Sequence, residues 1–330
     1  MVLILSRAAE YSTNRVTEWI EALGGRWVRL NDSFLRSTAV PYSFLLDNDD
    51  EGLELYASGQ SFDIREINVV WYRKWASGDD LSDLHDLTDN KEWATNLFNH
   101  VSRELTGTSQ LLFDLLQRKK WLDDPETVKG IRKNRVLTVA RRLGLRVPNT
   151  LITNRKDRVV DFIEANERII CKPISEVTFF NNDQYEFLSY TQEITREALD
   201  SMQEWFYPSQ FQQLIEKKFE IRTFYLDGRC YSMAIFSQAG QQSKIDFRDF
   251  NAQKPHRMVP YQLPEHIEAS IRLLMDELNL ATGSLDFIVT PDDHFYFLEV
   301  NPVGQFGMTS YPCNYRLEKK IAQYLIHHDQ

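Results

Sequence analysis

Between Gly283 and Gly307 two short, largely apolar runs carry isolated polar positions at Asp286, Glu299 and Asn301 and are split by the turn signal Pro291-Asp292-Asp293-His294. Strand side chains alternate faces with period two, so this pattern predicts a hairpin. Leu285, Phe287 and Val289 then share one face of the first strand, and Asp286 and Ile288 the other. On the second strand Tyr296, Leu298 and Val300 oppose Phe297, Glu299 and Asn301. A turn centred between Asp292 and Asp293 pairs Thr290 with Phe295 and sets Asp286 opposite Glu299. Directly paired residues lie roughly 5 Å apart at Cβ, with Asn301 about 6.6 Å further along the same face.

The same reading organises the rest of the chain. Residues 2–5 form a buried strand. Ser12–Leu23 carries a helical stripe of Val16, Trp19, Ile20 and Leu23, ended by Gly24-Gly25, and 27–30 is a second strand. The chain therefore opens as a βαβ unit. Leu53–Tyr56 with Phe62 predicts a small hairpin, Ile67–Tyr72 a core strand and Trp93–Gln117 a long helix. Val128–Leu143 predicts a further helix, stopped by Gly144 and Pro148. Short strands alternate with helices to about residue 205, and a strand-rich region runs from Gln210 to a closing helix at Leu317–Ile326. The polar break Lys119–Pro125 marks the first boundary, giving regions 1–120, 121–208 and 209–330 of α/β and α+β class.

Composition narrows the function. The chain has 330 residues, 42% apolar and 26% charged, the values of a globular protein of two or three domains. A net charge of −10 argues against a general nucleic-acid binder. Cys171, Cys230 and Cys313 are odd in number and widely spaced, which fits a reduced cytosol and neither a disulfide framework nor a zinc site. No signal h-region or membrane span is visible, so a soluble, cytoplasmic protein is expected. The histidines are scattered, and no Ser-His-Asp or Cys-His constellation or general base stands out.

Asp286, Glu299 and Asn301 make a hard-oxygen set, and Mg²⁺ prefers one or two carboxylates with water and phosphate completing its shell. Opposed like charges destabilise a hairpin, so a cation between them is expected. The alternative is an ordinary polar hairpin face. Further basic and hinge-like segments precede it. Lys133 lies on a helix before Gly144-Leu145-Arg146-Val147-Pro148, and Lys172 ends the apolar strand Ile169-Ile170-Cys171. Phe211–Lys217 connects two regions, Glu220-Ile221-Arg222 begins a strand, and Asp246-Phe247-Arg248 precedes the final core segment.

In this order the motifs resemble those of the ATP-grasp ligases, over roughly residues 120–310, with the opening βαβ region similar to that family's preceding domain. The tail Val300–Ala322 and Trp71-Tyr72-Arg73-Lys74 are similar to the graspetide, or microviridin-type and grasp-with-spasm, peptide ligases. The resemblance implies an ATP-grasp fold: an N-terminal pre-ATP-grasp α/β domain (1–120), a central lobe (121–208) and a C-terminal lobe with the metal site (209–330). It implies that Lys133 and Lys172 hold ATP phosphates and that Gln213, Leu214, Ile215, Glu216 and Lys217 form the adenine and ribose hinge; the alternatives are solvated lysines, with Lys133 on a merely basic helix face, and a plain β-strand. Arg222 and Arg248 would neutralise the transferring phosphoryl group, and Asp286, Glu299 and Asn301 would hold one or two Mg²⁺. Glu220 and Arg222 share a strand face, so a structural ion pair is the alternative for them.

One departure is that residues 174–180 lack the glycine-rich phosphate loop common in the family. This segment continues into a hairpin rich in aromatics, and the resemblance implies that Phe179, Phe180, Tyr185, Phe187 and Tyr190 bind the leader of a ribosomally made precursor peptide, the alternative being that they pack on the lobe's own core. The implied activity is ATP-dependent macrocyclisation, in which Asp or Glu side chains are activated as acyl phosphates and joined to Ser/Thr hydroxyls or Lys amines. No nucleic-acid or membrane partner is expected, and a homodimer is implied by resemblance alone. The rival readings are a ligase adding free amino acids and a non-catalytic peptide- or nucleotide-binding module. Arg73, Lys74 and Trp75 read as a surface basic cluster at a strand end, or else as facing the site.

Overall fold

The structure is a computed structural model and describes residues 1–32, 35, 42–46, 51–57, 60–75, 90–175, 179–181, 186–188, 191–237 and 256–330. The chain divides into two compact units, Met1–Lys129 with Arg316–Gln330, and Gly130–Tyr315.

The first unit opens with β1 (Val2–Ser6), α1 (Tyr11–Ala22) and β2 (Trp27–Asn31). Glu10 caps α1 by accepting from the Thr13 amide at 2.7 Å. Gly24, at φ +77°, ends the helix in the left-handed region expected of its stop signal. The hairpin expected near residues 53–62 is a three-stranded antiparallel sheet of β3 (Tyr42–Leu46), β4 (Glu51–Ala57) and β5 (Gln60–Asp63). β6 (Val69–Tyr72) then pairs parallel with β1, opposite to β2. α2 (Lys91–Leu116) buries Leu112, Phe113 and Leu116, and β7 (Lys120–Leu122) adds parallel to β6. The parallel order is therefore β2-β1-β6-β7.

β7 displaces the expected boundary at residue 120. Its backbone completes the edge of the first sheet, so the unit continues through α3 (Pro125–Gly130) to Lys129. The chain's last helix also returns to this unit. A Cβ on Gly25 would come within 2.8 Å of Ile20 and Ile326, so glycine permits that close packing. Lys319 lies 5.0 Å from the Trp19 ring, and the Met1 ammonium pairs with Asp329.

Arg73 and Trp75 are not at the surface; both are buried at the carboxyl end of β6. Arg73 lies 3.8 Å and Lys74 3.2 Å from the Glu10 carboxylate, which also accepts from Ser12 Oγ at 2.7 Å. Burial alone would raise the Glu10 pKa. The Ser12 hydrogen bond, the Arg73 charge, the Thr13 amide and Lys74 outweigh it and lower it to about 2. A strand-end basic cluster is thus internal because a carboxylate from α1 is folded against it.

The second unit begins with α4 (Lys133–Arg142), separated from α3 by an extended Arg132 at φ −121° and ψ 123°. The single helix expected over 128–143 is accordingly two. Gly144, at φ +87°, ends α4. β8 (Thr150–Arg155), α5 (Lys156–Asn166), β9 (Ile169–Lys172), the hairpin β10 (Phe179–Asn181) and β11 (Glu186–Leu188), β12 (Gln192–Glu193), α6 (Arg196–Ser201) and β13 (Trp205–Gln213) follow. β12-β9-β13-β8 form one antiparallel sheet, and Val159, Ile169 and Phe211 centre the core under it.

β14 (Phe219–Leu226), β15 (Arg229–Phe236), β16 (Arg257–Tyr261), α7 (Glu265–Glu277), β17 (Thr282–Val289) and β18 (Phe295–Asn301) complete the unit with α8 (Gly307–Cys313). Their sheet runs β16-β15-β14-β17-β18, all antiparallel. α4 packs its apolar stripe, Val136, Leu137, Val139 and Ala140, into the core of this sheet beside Ile271, Leu274 and Met275 of α7. Although α4 precedes the central lobe in sequence, its apolar face belongs to the C-terminal core. The final helix, α9 (Leu317–His327), is the one that packs in the first unit. Among the described residues no helix is long and apolar enough to cross a membrane.

Candidate active site

The hairpin of β17 and β18 sets Asp286 opposite Glu299, as the alternation predicts. It reaches that register by another route. The ladder places Val289, not Thr290, opposite Phe295, a register shifted by one residue from the expected one, and Thr290 N–H donates to the His294 carbonyl at 3.0 Å. A β-bulge between Asp286 and Phe287 on one side, with Leu298 as the extra residue on the other, restores the register. The reason is packing. Phe297 (0% exposed) and Val300 both lie in the core with Phe287 and Leu285, three positions apart, which unbroken alternation forbids. Phe297 therefore faces the core and not the site, while Leu298 and Glu299 both line a cleft.

That cleft lies between the two sheets of the second unit. Lys133, at the first turn of α4, and Lys172, at the end of β9, both line it with Asp286 and Glu299. Gln213, Leu214, Ile215 and Lys217 form its connecting edge. Ile170, Leu214, Ile215, Ile288 and Leu298 give it an apolar lining, the composition of a slot for a flat base with a few placed charges.

The charges are paired. Arg222, buried on β14, stands in register with Asp286, and its Nη1 donates to both carboxylate oxygens at 3.1 Å. Lys133 Nζ lies 3.6 Å from Glu299 Oε2. Two strand-opposed carboxylates are thus each held by a cation, which is the charge balance a metal would provide. Among the described residues no group of three or more His, Cys, Asp or Glu side chains could hold a metal alone. A two-carboxylate set fits Mg²⁺, which takes the rest of its shell from water and phosphate.

The remaining expected residues differ in their placement. Lys217 is buried and donates to Glu220 at 2.9 Å, and Ser237 Oγ donates to the same carboxylate at 2.8 Å. Arg222 is thus partnered by Asp286 and Glu220 by Lys217, so the ion pair considered between Glu220 and Arg222 has different partners. Glu216 is exposed and outside the cleft wall. Asn301, opposite Ser284, is exposed beyond the wall on the Glu299 strand. Phe179, Phe180 and Phe187 belong to the β10–β11 hairpin, in which Phe180 pairs with Phe187. Arg248, Tyr185 and Tyr190 lie outside the described residues.

The sequence reading missed Ile170, Ile288 and Leu298. Ile170 and Ile288 were recoverable, since each sits two residues from a charged site residue on the same strand face. Leu298 was not, because only the bulge turns it inward. No activated thiol adjoins the site. Burial raises the pKa of Cys171, beside Lys172, and pushes that of Cys230 up to about 12.

Residues 1–129 match the family model described as the MvdD pre-ATP-grasp domain. No curated protein matches the chain significantly. The Chryseobacterium gregarium RiPP-associated ATP-grasp ligase, solved with ADP and a leader and core peptide, is 26% identical with a TM-score of 0.86, over 98% of this chain and 96% of that one. Macrocyclase MdnC from Microcystis aeruginosa MRC, bound with precursor peptide MdnA, is 27% identical with a TM-score of 0.82, over 99% and 100%. The ATP-grasp ligase PsnB, complexed with minimal precursor, Mg and ADP, is 18% identical at a TM-score of 0.76, over 100% and 97%, a likeness of fold. The chain has the ATP-grasp fold, carries an MvdD-type pre-ATP-grasp domain at residues 1–129, and over nearly its whole length is similar to ATP-grasp ligases associated with ribosomally made peptides.

Proposed function

We propose that the protein is an ATP-dependent peptide ligase that joins side chains of a ribosomally made precursor peptide into a macrocycle. The observation that carries this reading is the pair Asp286 and Glu299, opposed in register in one cleft that Lys172 also lines and with Lys133 beside Glu299. The likeness to ligases solved with precursor peptides supports the choice of substrate.

Lys133 and Lys172 hold the phosphates as mobile point charges from opposite walls. The apolar lining with Leu214 and Ile215 takes the base. Asp286 and Glu299, with Asn301 next along the strand, would hold Mg²⁺, which when bound offsets the charge on the phosphate oxygens. Arg222 keeps Asp286 oriented toward the cleft, and Arg222 and Arg248 are the guanidinium groups that would neutralise charge developing on the transferred group. An Asp or Glu carboxylate of the peptide attacks the γ-phosphorus, the bond to ADP breaks, and an acyl phosphate forms. A Ser or Thr hydroxyl or a Lys amine of the same peptide then attacks the acyl carbon. Phosphate leaves, one proton is released, and the peptide has lost one water per ring. Catalysis of such transfers is mostly positioning and charge stabilisation. The leader would dock on residues 176–190 through Phe179, Phe180, Tyr185, Phe187 and Tyr190.

Mass spectrometry of a precursor rich in paired Thr/Ser/Lys and Asp/Glu, incubated with ATP and Mg²⁺, tests the reading. Loss of whole waters, absent without ATP and with Glu299→Ala, is expected. Added residue masses would indicate a ligase of free amino acids, and an unchanged peptide despite nucleotide binding would indicate a binding module. Either overturns the proposal.

A further inference from the structure

The two carboxylates of the hairpin are held by cations of unequal freedom. Arg222 is strand-borne and buried, and it contacts both oxygens of Asp286 in the register of the sheet. Lys133 is different. Its side chain is 39% exposed, and its 3.6 Å approach to Glu299 lies beyond ordinary hydrogen-bond length. A lysine ammonium moves on a four-carbon stem, and exposed pairs of this kind are weak enough to exchange partners. Its position is also opposed by the helix it begins. Lys133 is the first residue of α4, whose first turn carries no acidic residue, so its charge faces the positive end of the helix dipole. Glu299 supplies the compensation.

We infer that Lys133 is a shuttle between Glu299 and the nucleotide phosphates, holding the carboxylate while the cleft is empty and moving to phosphate when a divalent cation takes Glu299. The inference rests on the assignment of this cleft to nucleotide and metal given above. It makes the two ligands interdependent through one side chain. A cation entering alone must displace Lys133, and a nucleotide entering alone must draw Lys133 from Glu299. Once both are present, neither competition remains. By linkage the effect is reciprocal: each ligand relieves the obstacle to the other.

This gives gains of affinity on mutation, which loss of packing would not. Binding is measured on the full chain with Mn²⁺ alone by electron paramagnetic resonance, and with ADP in EDTA by calorimetry. Lys133→Met is expected to bind Mn²⁺ alone about two- to fivefold tighter than wild type, the range of an exposed ion pair. Glu299→Gln is expected to bind metal-free ADP tighter by a similar factor, and most of that gain disappears in the double variant. Unchanged Mn²⁺ affinity in Lys133→Met, with Glu299→Gln still abolishing ADP-dependent Mn²⁺ binding, overturns the shuttle and leaves the site assignment standing. Unchanged ADP-dependent Mn²⁺ binding in Glu299→Gln overturns the metal assignment and the shuttle with it.

Discussion

Removing the Asp286 carboxylate should damage the fold as well as the chemistry, and the two effects can be separated. Arg222 is 7% exposed, and Nη1 is bonded to both Asp286 oxygens. Asp286→Ala therefore leaves a buried guanidinium without its carboxylate. Breaking a buried pair by removing one partner costs about 3 kcal/mol or slightly more. For a unit the size of Gly130–Tyr315 this corresponds to a midpoint lowered by roughly 6–12 °C. Replacing both partners with apolar residues of similar size is often neutral, so Arg222→Met with Asp286→Leu should recover most of the loss. Phosphate release should stay absent in both variants. Thermal unfolding by circular dichroism gives the first quantity and ATP turnover with precursor the second. Asp286→Ala with a wild-type midpoint would refute the view that this carboxylate is also the countercharge of the sheet.

Three further outcomes follow from particular contacts. Glu10, with its pKa lowered from 4.5 to about 2, contributes on the order of 3 kcal/mol above pH 4.5, a contribution lost as pH falls toward 2. The stability difference between wild type and Glu10→Gln in pH-dependent urea denaturation should shrink over that window; a constant difference contradicts the assignment. A Cβ on Gly304 would come within 2.4 Å of Ser284 Cβ, so Gly304→Ala should cost about 1–3 kcal/mol, read as a lower urea midpoint. Lys172→Met should lower kcat/KM for ATP by about 10- to 100-fold, the loss of one charge-assisted contact, with the fold unchanged by circular dichroism.

The site pair was legible because it depends on local alternation. Asp286 and Glu299 meet across one turn, so strand period points to the pair, although from the observed turn register alone Asp286 would face Leu298 and the bulge is what brings Glu299 opposite it. The bulge at Leu298 was hidden, since the demand that creates it is the joint burial of Phe297 and Val300 against a helix far away in sequence. The βαβ opening and the glycine stops at Gly24 and Gly144 were local signals and are present. β7 was not legible, because Lys120-Trp121-Leu122 is a strand only by virtue of the free edge of β6. The burial of Arg73 was hidden for the same kind of reason, its carboxylate partner lying on another element. What the sequence concealed was therefore decided by partners remote along the chain.

The most direct test of the central claim follows oxygen. A precursor peptide carrying oxygen-18 in its Asp and Glu side-chain carboxylates is incubated with the protein, ATP and Mg²⁺, and the released phosphate is analysed by mass spectrometry. Activation through an acyl phosphate transfers one labelled oxygen to phosphate for each bond formed. Unlabelled phosphate, released while the peptide loses water, would contradict carboxylate activation at this site.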